Sequence, residues 1–115
     1  MIRHIVFFTA PPEKVEQVRK GLSLLTEIPH ARRLEIGTSI KRDPFGNEVD
    51  VVVYGEFEDV AALDAFQAHP LYQVSIDAVR PIRDMRIAAD YQTTDAVTRA
   101  SGIVSAYGQS SPPPP

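Results

Sequence analysis

The sequence predicts an α+β domain with the order β-α-β-β-α-(α)-β, a four-stranded antiparallel sheet carrying its helices on one face. Three observations predict it. Apolar residues alternate between strand and helix periods along residues 1–92. Prolines at Pro11-Pro12, Pro29, Pro70 and Pro81 fall where the period changes. The composition shifts after Gln92 to a Ser-, Thr-, Ala- and Gly-rich segment ending in Pro112 to Pro115. Split βαβ units in this order give such a sheet.

Ile2 to Thr9 is β-branched and aromatic, hence a strand. Pro11-Pro12 opens a helix, since proline fits the first helical positions and Glu13 and Glu16 suit the positive end. Val15, Val18, Leu22 and Leu25 recur at helical spacing as a core-facing stripe, and Pro29 ends the helix. Ala31 to Ile40 reads as a strand with Leu34, Ile36 and Thr38 on one face and Arg33, Glu35 and Gly37 on the other. Lys41 to Glu48 holds Asp43-Pro44-Phe45-Gly46-Asn47, a surface turn. Val49 to Phe57 is the third strand. Asp59 caps a helix with Ala62, Leu63 and Phe66 on one face. His69-Pro70 interrupts it and starts another reaching about Val79; Pro81 stops that helix, and Arg83 to Tyr91 supplies the last strand.

Residues 93–115 carry one acid, Asp95, and one base, Arg99, with little apolar area to offset ordering entropy. A flexible tail is expected there, although Ile103 to Tyr107 could dock locally. The 115 residues therefore divide into one folded domain, 1–92, and that tail.

With 12 Lys plus Arg against 15 Asp plus Glu, the net charge is −3 and there is no basic excess to bind nucleic acid. No cysteine is present, which removes disulfides, thiolate nucleophiles and zinc-thiolate sites. The apolar part of Met1 to Phe8 is too short for a secretory leader and lacks a small-residue cleavage site. No run is long enough to span a bilayer. A soluble, cytoplasmic protein without membrane partners is expected.

Strand one offers His4, Val6 and Phe8 on one side and Ile5 and Phe7 on the other; strand three offers Val51 and Val53 against Val52 and Tyr54. An antiparallel sheet with one wet face should alternate more strongly with polar residues. Two helical segments cover one face only. At about 25 cal/mol per Å², leaving Ile5, Phe7, Val52 and Tyr54 in water forfeits several kcal/mol, comparable to a small domain's whole stability. A second copy, paired by two-fold symmetry through the open sheet face, supplies the cover. The alternative cover is the tail, whose polar composition suits the task poorly.

Candidate chemistry is sparse. His4, within an apolar strand, reads either as a satisfied core histidine or as a polar anchor able to exchange protons with a ligand. His69 reads as a cap or packing residue at the helix junction, and alternatively as part of a pocket wall. His30 follows Pro29 in a loop and reads as solvated. The histidines lack metal-ligand spacing, so no metal is expected, and no glycine-rich or nucleophile motif implies a cofactor. Asp90 is either an edge carboxylate or a partner for Tyr72, and such a pair could polarise a phenol or carbonyl. Arg83 and Arg86 could receive an acid group, or form surface ion pairs worth little.

The chain also resembles the stress-responsive A/B barrel (Dabb) family. The resemblance is carried by Met1, His4-Ile5-Val6 and Phe8, then Glu56-Phe57-Glu58-Asp59 with Ala61-Ala62-Leu63. His69-Pro70, Arg80-Pro81 and Asp90-Tyr91 complete it. Each motif alone is weak; their order over residues 1–92 is specific. It implies a ferredoxin-like monomer whose sheets pair into a dimeric α/β barrel. The family includes a polyketide cyclase as well as stress proteins without known chemistry. Where that cyclase has its catalytic histidine this chain has Tyr72, and where it has its tyrosine, Phe66. Its aspartate and a further cavity histidine are matched by Asp90 and His4. The main general base is missing, so that cyclase reaction is not expected.

The resulting expectation is a homodimer binding a small hydrophobic or aromatic molecule between sheet and helices. His4, Val6, Phe8, Phe66, His69, Tyr72 and Asp90 are the candidate ligand-binding residues. Among these, His4, Tyr72 and Asp90 are the candidates for any catalysis. The alternatives are a non-catalytic dimeric stress or scaffold protein, and a cofactor-free cyclase, isomerase or monooxygenase-like enzyme.

Overall fold

The computed structural model describes residues 1–99. Four strands, β1 (Ile2–Phe8), β2 (Arg33–Thr38), β3 (Val51–Phe57) and β4 (Arg86–Gln92), form one antiparallel sheet in the order β2-β3-β1-β4. Helices α1 (Val15–Ser23), α2 (Val60–Ala68) and α3 (Pro70–Val79) complete the order β-α-β-β-α-α-β. This is the expected α+β, ferredoxin-like layout.

The helix ends follow from local chemistry. Pro12–Lys14 forms a 3-10 turn ahead of α1, and Leu24–Glu27 forms another after it, so the single helix expected from Pro11 to Pro29 is α-helical only in its middle. The Asp59 side chain accepts from the Ala62 N–H at 2.9 Å and caps α2. At the next junction the His69 ring Nδ1 accepts from the Leu71 N–H at 3.1 Å, and Pro70 takes the first position of α3.

The strands are shorter than expected at several ends. β2 occupies Arg33–Thr38 rather than Ala31 to Ile40, and β3 begins at Val51 rather than Val49. β4 begins at Arg86 because the N–H groups of Ile82 and Arg83 both bond back to the Val79 carbonyl, carrying the helical turn past Pro81. The apolar stretch Ile103 to Tyr107 and Pro112 to Pro115 lie outside the described residues.

Register divides the sheet into two unlike faces. β1 pairs with β3 so that Val6 opposes Val53, and with β4 so that His4 opposes Asp90. On the helix side Ile2, His4, Val6 and Phe8 are buried together with Val51, Val53 and Phe57. They pack against Val18, Leu22, Leu25, Leu63, Phe66 and Val79, burying most of the expected helix stripe. Gly21 of α1 lies so close to α3 that an added Cβ would sit 2.7 Å from the Val79 side chain, and the Ser75 hydroxyl donates to the Gly21 carbonyl at 2.9 Å.

The other face has no cover among the described residues. Phe7, between Val52 of β3 and Ile87 of β4, is 38% exposed, and Ile87 is 53% exposed. This face is graded. Its apolar end holds Phe7, Val52 and Ile87, while toward the start of β1 lie Arg3, Glu56, Arg33 and Tyr91. There Arg33 pairs with Glu35, and the Tyr54 hydroxyl donates to Glu56 at 2.6 Å. Glu56 raises the Tyr54 phenol above its ordinary value, since that hydrogen bond and the carboxylate's charge both oppose phenolate. No helix of the described residues is long and apolar enough to cross a membrane.

Candidate functional site

A cavity of about 310 Å³ lies between the helix-covered side of the sheet and the helices, open toward the turn between α3 and β4. Its floor is His4, Val6 and Phe8, three alternate residues that strand periodicity puts on one face of β1. Leu22 of α1 and Leu25 of the following turn form one wall, and Phe66 of α2 another. Helix α3 contributes Tyr72, Ser75, Ile76 and Val79 at helical spacing, and the mouth carries Arg80, Arg83 and Arg86.

His4 is the polar centre of the floor, 3% exposed, with its Nδ1 2.5 Å from Asp90 Oδ1. The pair follows directly from the register, because His4 and Asp90 are opposed across β1 and β4. The carboxylate fixes the ring's orientation, and Nε2 makes no hydrogen bond among the described residues. His4 stands edge-on to Phe57, with ring centroids 6.2 Å apart at 76°. Phe57 in turn meets Phe66 at 5.0 Å, and Phe66 meets Tyr72 at 5.6 Å, both edge-on. An unbroken aromatic series therefore runs from the sheet to α3 and holds the two polar-tipped rings, His4 and Tyr72, at the same cavity.

The structure brings together five of the seven expected binding residues as cavity lining: His4, Val6, Phe8, Phe66 and Tyr72. Asp90 joins through His4 and not through Tyr72. Of the two readings of Asp90, the Tyr72 hydrogen bond is absent among the described residues, and the carboxylate, exposed on its strand, is bonded to the neighbour that register gives it, His4. His69 does not line the cavity, since its ring nitrogen caps α3. Leu22, Leu25, Ser75, Ile76, Val79 and Arg80 join the lining without having been expected there. The i, i+3, i+4 spacing of Tyr72, Ser75, Ile76 and Val79 was a usable signal in the sequence. Ser75 is spent on the Gly21 carbonyl, which leaves His4 and Tyr72 as the polar groups of the interior.

Among the described residues no three His, Asp or Glu side chains are grouped to hold a metal ion. The arrangement can enclose an apolar body, hydrogen-bond it through Tyr72, and present it with an oriented imidazole.

The sequence profile of the family described as the stress responsive A/B barrel domain matches residues 2–93. No curated protein matches the chain significantly. Among solved structures it is similar to a dimeric ferredoxin-like protein of unknown function from Thermobifida fusca. The two are 26% identical over 78% of this chain and 88% of that one, with a TM-score of 0.66. It is also similar to a Dabb family protein with a ferredoxin-like fold from Mesorhizobium loti, 24% identical over 79% of this chain and 94% of that one (TM-score 0.65). A dimeric protein of unknown function and ferredoxin-like fold from Bacteroides fragilis is 21% identical over 79% of this chain and 94% of that one, again at 0.65.

Proposed function

The chain belongs to the stress-responsive A/B barrel domain family, and on that footing we propose that it works as a homodimer, each copy binding a small hydrophobic or aromatic molecule in the pocket between sheet and helices. The observation that carries the binding reading is the cavity of about 310 Å³, apolar in most of its lining, with His4 and Tyr72 as its internal polar groups. Ligand pockets have this make-up, and this volume stands at their lower end. An open cavity also weighs against a scaffold whose interior is filled by its own side chains.

The dimer reading rests on the open face. Phe7, Ile87 and Met85 are exposed at its apolar end, beside a hollow of about 190 Å³ also lined by Thr9, Glu48 and Val49. The similar proteins from Thermobifida fusca and Bacteroides fragilis are described as dimeric. Facing copies of this sheet would bury the same patch on each partner, as a two-fold axis requires.

Binding is tested by thermal unfolding with aromatic polyketides and alkylphenols. A true ligand raises the midpoint progressively with concentration. Ile76→Trp, which fills the cavity from its half-buried α3 wall position, should fold and lose that shift. No shift with any compound for the native chain refutes the reading.

A second reading has its own observation. The His4–Asp90 contact at 2.5 Å orients an imidazole with a free Nε2 beside an apolar chamber, an arrangement suited to cofactor-free proton transfer on a carbonyl compound. Solvent deuterium exchange into a bound polyketide, followed by NMR, should then depend on His4 and vanish in His4→Phe. Exchange at the uncatalysed rate with the native chain removes it.

A further inference from the structure

The arginines at the mouth define a chemistry that the apolar interior does not. Arg80 caps the end of α3, Arg83 lies in the turn beyond it, and Arg86 opens β4 opposite Phe8. All three line the same cavity as His4 and Tyr72. Among the described residues none of them forms an ion pair with a carboxylate, although Arg19, Arg32 and Arg33 each do so with a nearby glutamate. In a chain with 15 acids to 12 bases, three guanidinium groups around one opening, none in direct contact with a carboxylate, concentrate positive charge there, with Asp84 the acid nearest to them in the chain. The α3 carbonyl end accounts for a cation at Arg80, but not for Arg83 and Arg86, which lie beyond it. Arg83 is half-buried, and one of its nitrogens donates to the Asp84 carbonyl at 3.0 Å, which steadies the group at the rim.

Building on the proposed apolar pocket, we propose that its ligand is a carboxylic acid, with the apolar or aromatic body against Phe8, Leu22 and Phe66 and the carboxylate held at the mouth by Arg80, Arg83 and Arg86. A planar guanidinium fork matches a carboxylate, and such charge-assisted bonds are about twice as strong as neutral ones. The cavity sets the size. It holds the volume of about ten water molecules, enough for a single substituted ring or a medium-length acyl chain.

The test is calorimetric titration of the full chain with 4-propylbenzoate, its uncharged counterpart 4-propylbenzamide, and 4-propylphenylphosphonate. The benzoate should bind at least about tenfold more tightly than the benzamide, a preference that weakens as salt rises. Arg80→Gln/Arg83→Gln/Arg86→Gln should bind benzoate and benzamide alike, at the benzamide affinity, with its ligand-free unfolding midpoint unchanged. Should the triple variant not fold, Arg86→Gln alone, at an exposed strand end, should reduce the preference severalfold. Equal binding of benzoate and benzamide to the native chain, or a preference surviving the substitutions, overturns the carboxylate site and leaves the apolar pocket standing. Tighter binding of the phosphonate overturns the choice of carboxylate. No binding of any of the three to the native chain removes pocket and site together.

Discussion

Replacing Phe7 by glutamate is expected to separate the proposed dimer into folded single chains. Phe7 lies on the open face between Val52 and Ile87 and keeps 38% of its surface exposed in the single chain. Full burial of a phenylalanine contributes about 1.5–3 kcal/mol, so covering the remaining fraction contributes about 1 kcal/mol per copy and about 2 kcal/mol per dimer. A glutamate there forfeits this and also strands a carboxylate against an apolar partner surface, at about 1–3 kcal/mol or more for each copy. The sum is at least about 4 kcal/mol, and at 1.4 kcal/mol per tenfold change the dissociation constant should rise by about a thousandfold or more. The single chain loses little, because this side chain faces away from the buried cluster around Val6 and Phe57. Sedimentation velocity at micromolar concentration is the assay, with far-UV circular dichroism to verify the fold. Phe7→Leu should remain dimeric. Phe8→Glu, whose side chain is buried on the helix side, should unfold rather than dissociate. A Phe7→Glu chain that sediments as a dimer of native affinity, or a native chain that is a folded monomer, refutes the reasoning.

Two predictions concern the scaffold. Burial of Asp50 drives its carboxyl upward, but the Lys41 ammonium at 2.9 Å and the Ala10 N–H at 2.9 Å outweigh this and hold its pKa below the ordinary aspartate value. A carboxyl depressed by folding contributes stability above its unfolded pKa and loses it as pH falls through the folded one. Asp50→Asn should therefore cost about 1–2 kcal/mol at neutral pH and almost nothing in strong acid; equal losses in urea melts at both pH values contradict the assignment. Gly21→Ala places a methyl 2.7 Å from the Val79 side chain, and overpacking of about 1–3 kcal/mol should exceed the gain of up to about 1 kcal/mol in helix propensity. Combining it with Val79→Ala removes the clash, so the double variant should lose less than the sum of the singles. Strict additivity would show that the α1–α3 contact is not tight.

Much of the site could be read along the chain. The alternation in β1 placed His4, Val6 and Phe8 on one face, and the stripe Val18, Leu22, Leu25 marked the helix that covers them. Asp59 and Pro70 marked two helix starts. The misses lie where distant segments meet. Asp90, which reads along the chain as an edge carboxylate or a partner for Tyr72, is bonded instead to His4, whereas the His69 cap, a contact within its own helix start, agrees with the first of the two readings of that residue. The Arg80, Arg83 and Arg86 cluster surrounds one opening only because α3 ends above the start of β4.

The sequence by itself determined the elements, their caps, and the two greasy faces of the sheet, since backbone period and capping chemistry act over a few residues. Tertiary structure alone decided that His4 meets Asp90, 86 positions away, and that three arginines share a mouth. Strand register and helix docking set those meetings, and both depend on the packing of the whole core rather than on any local stretch of chain.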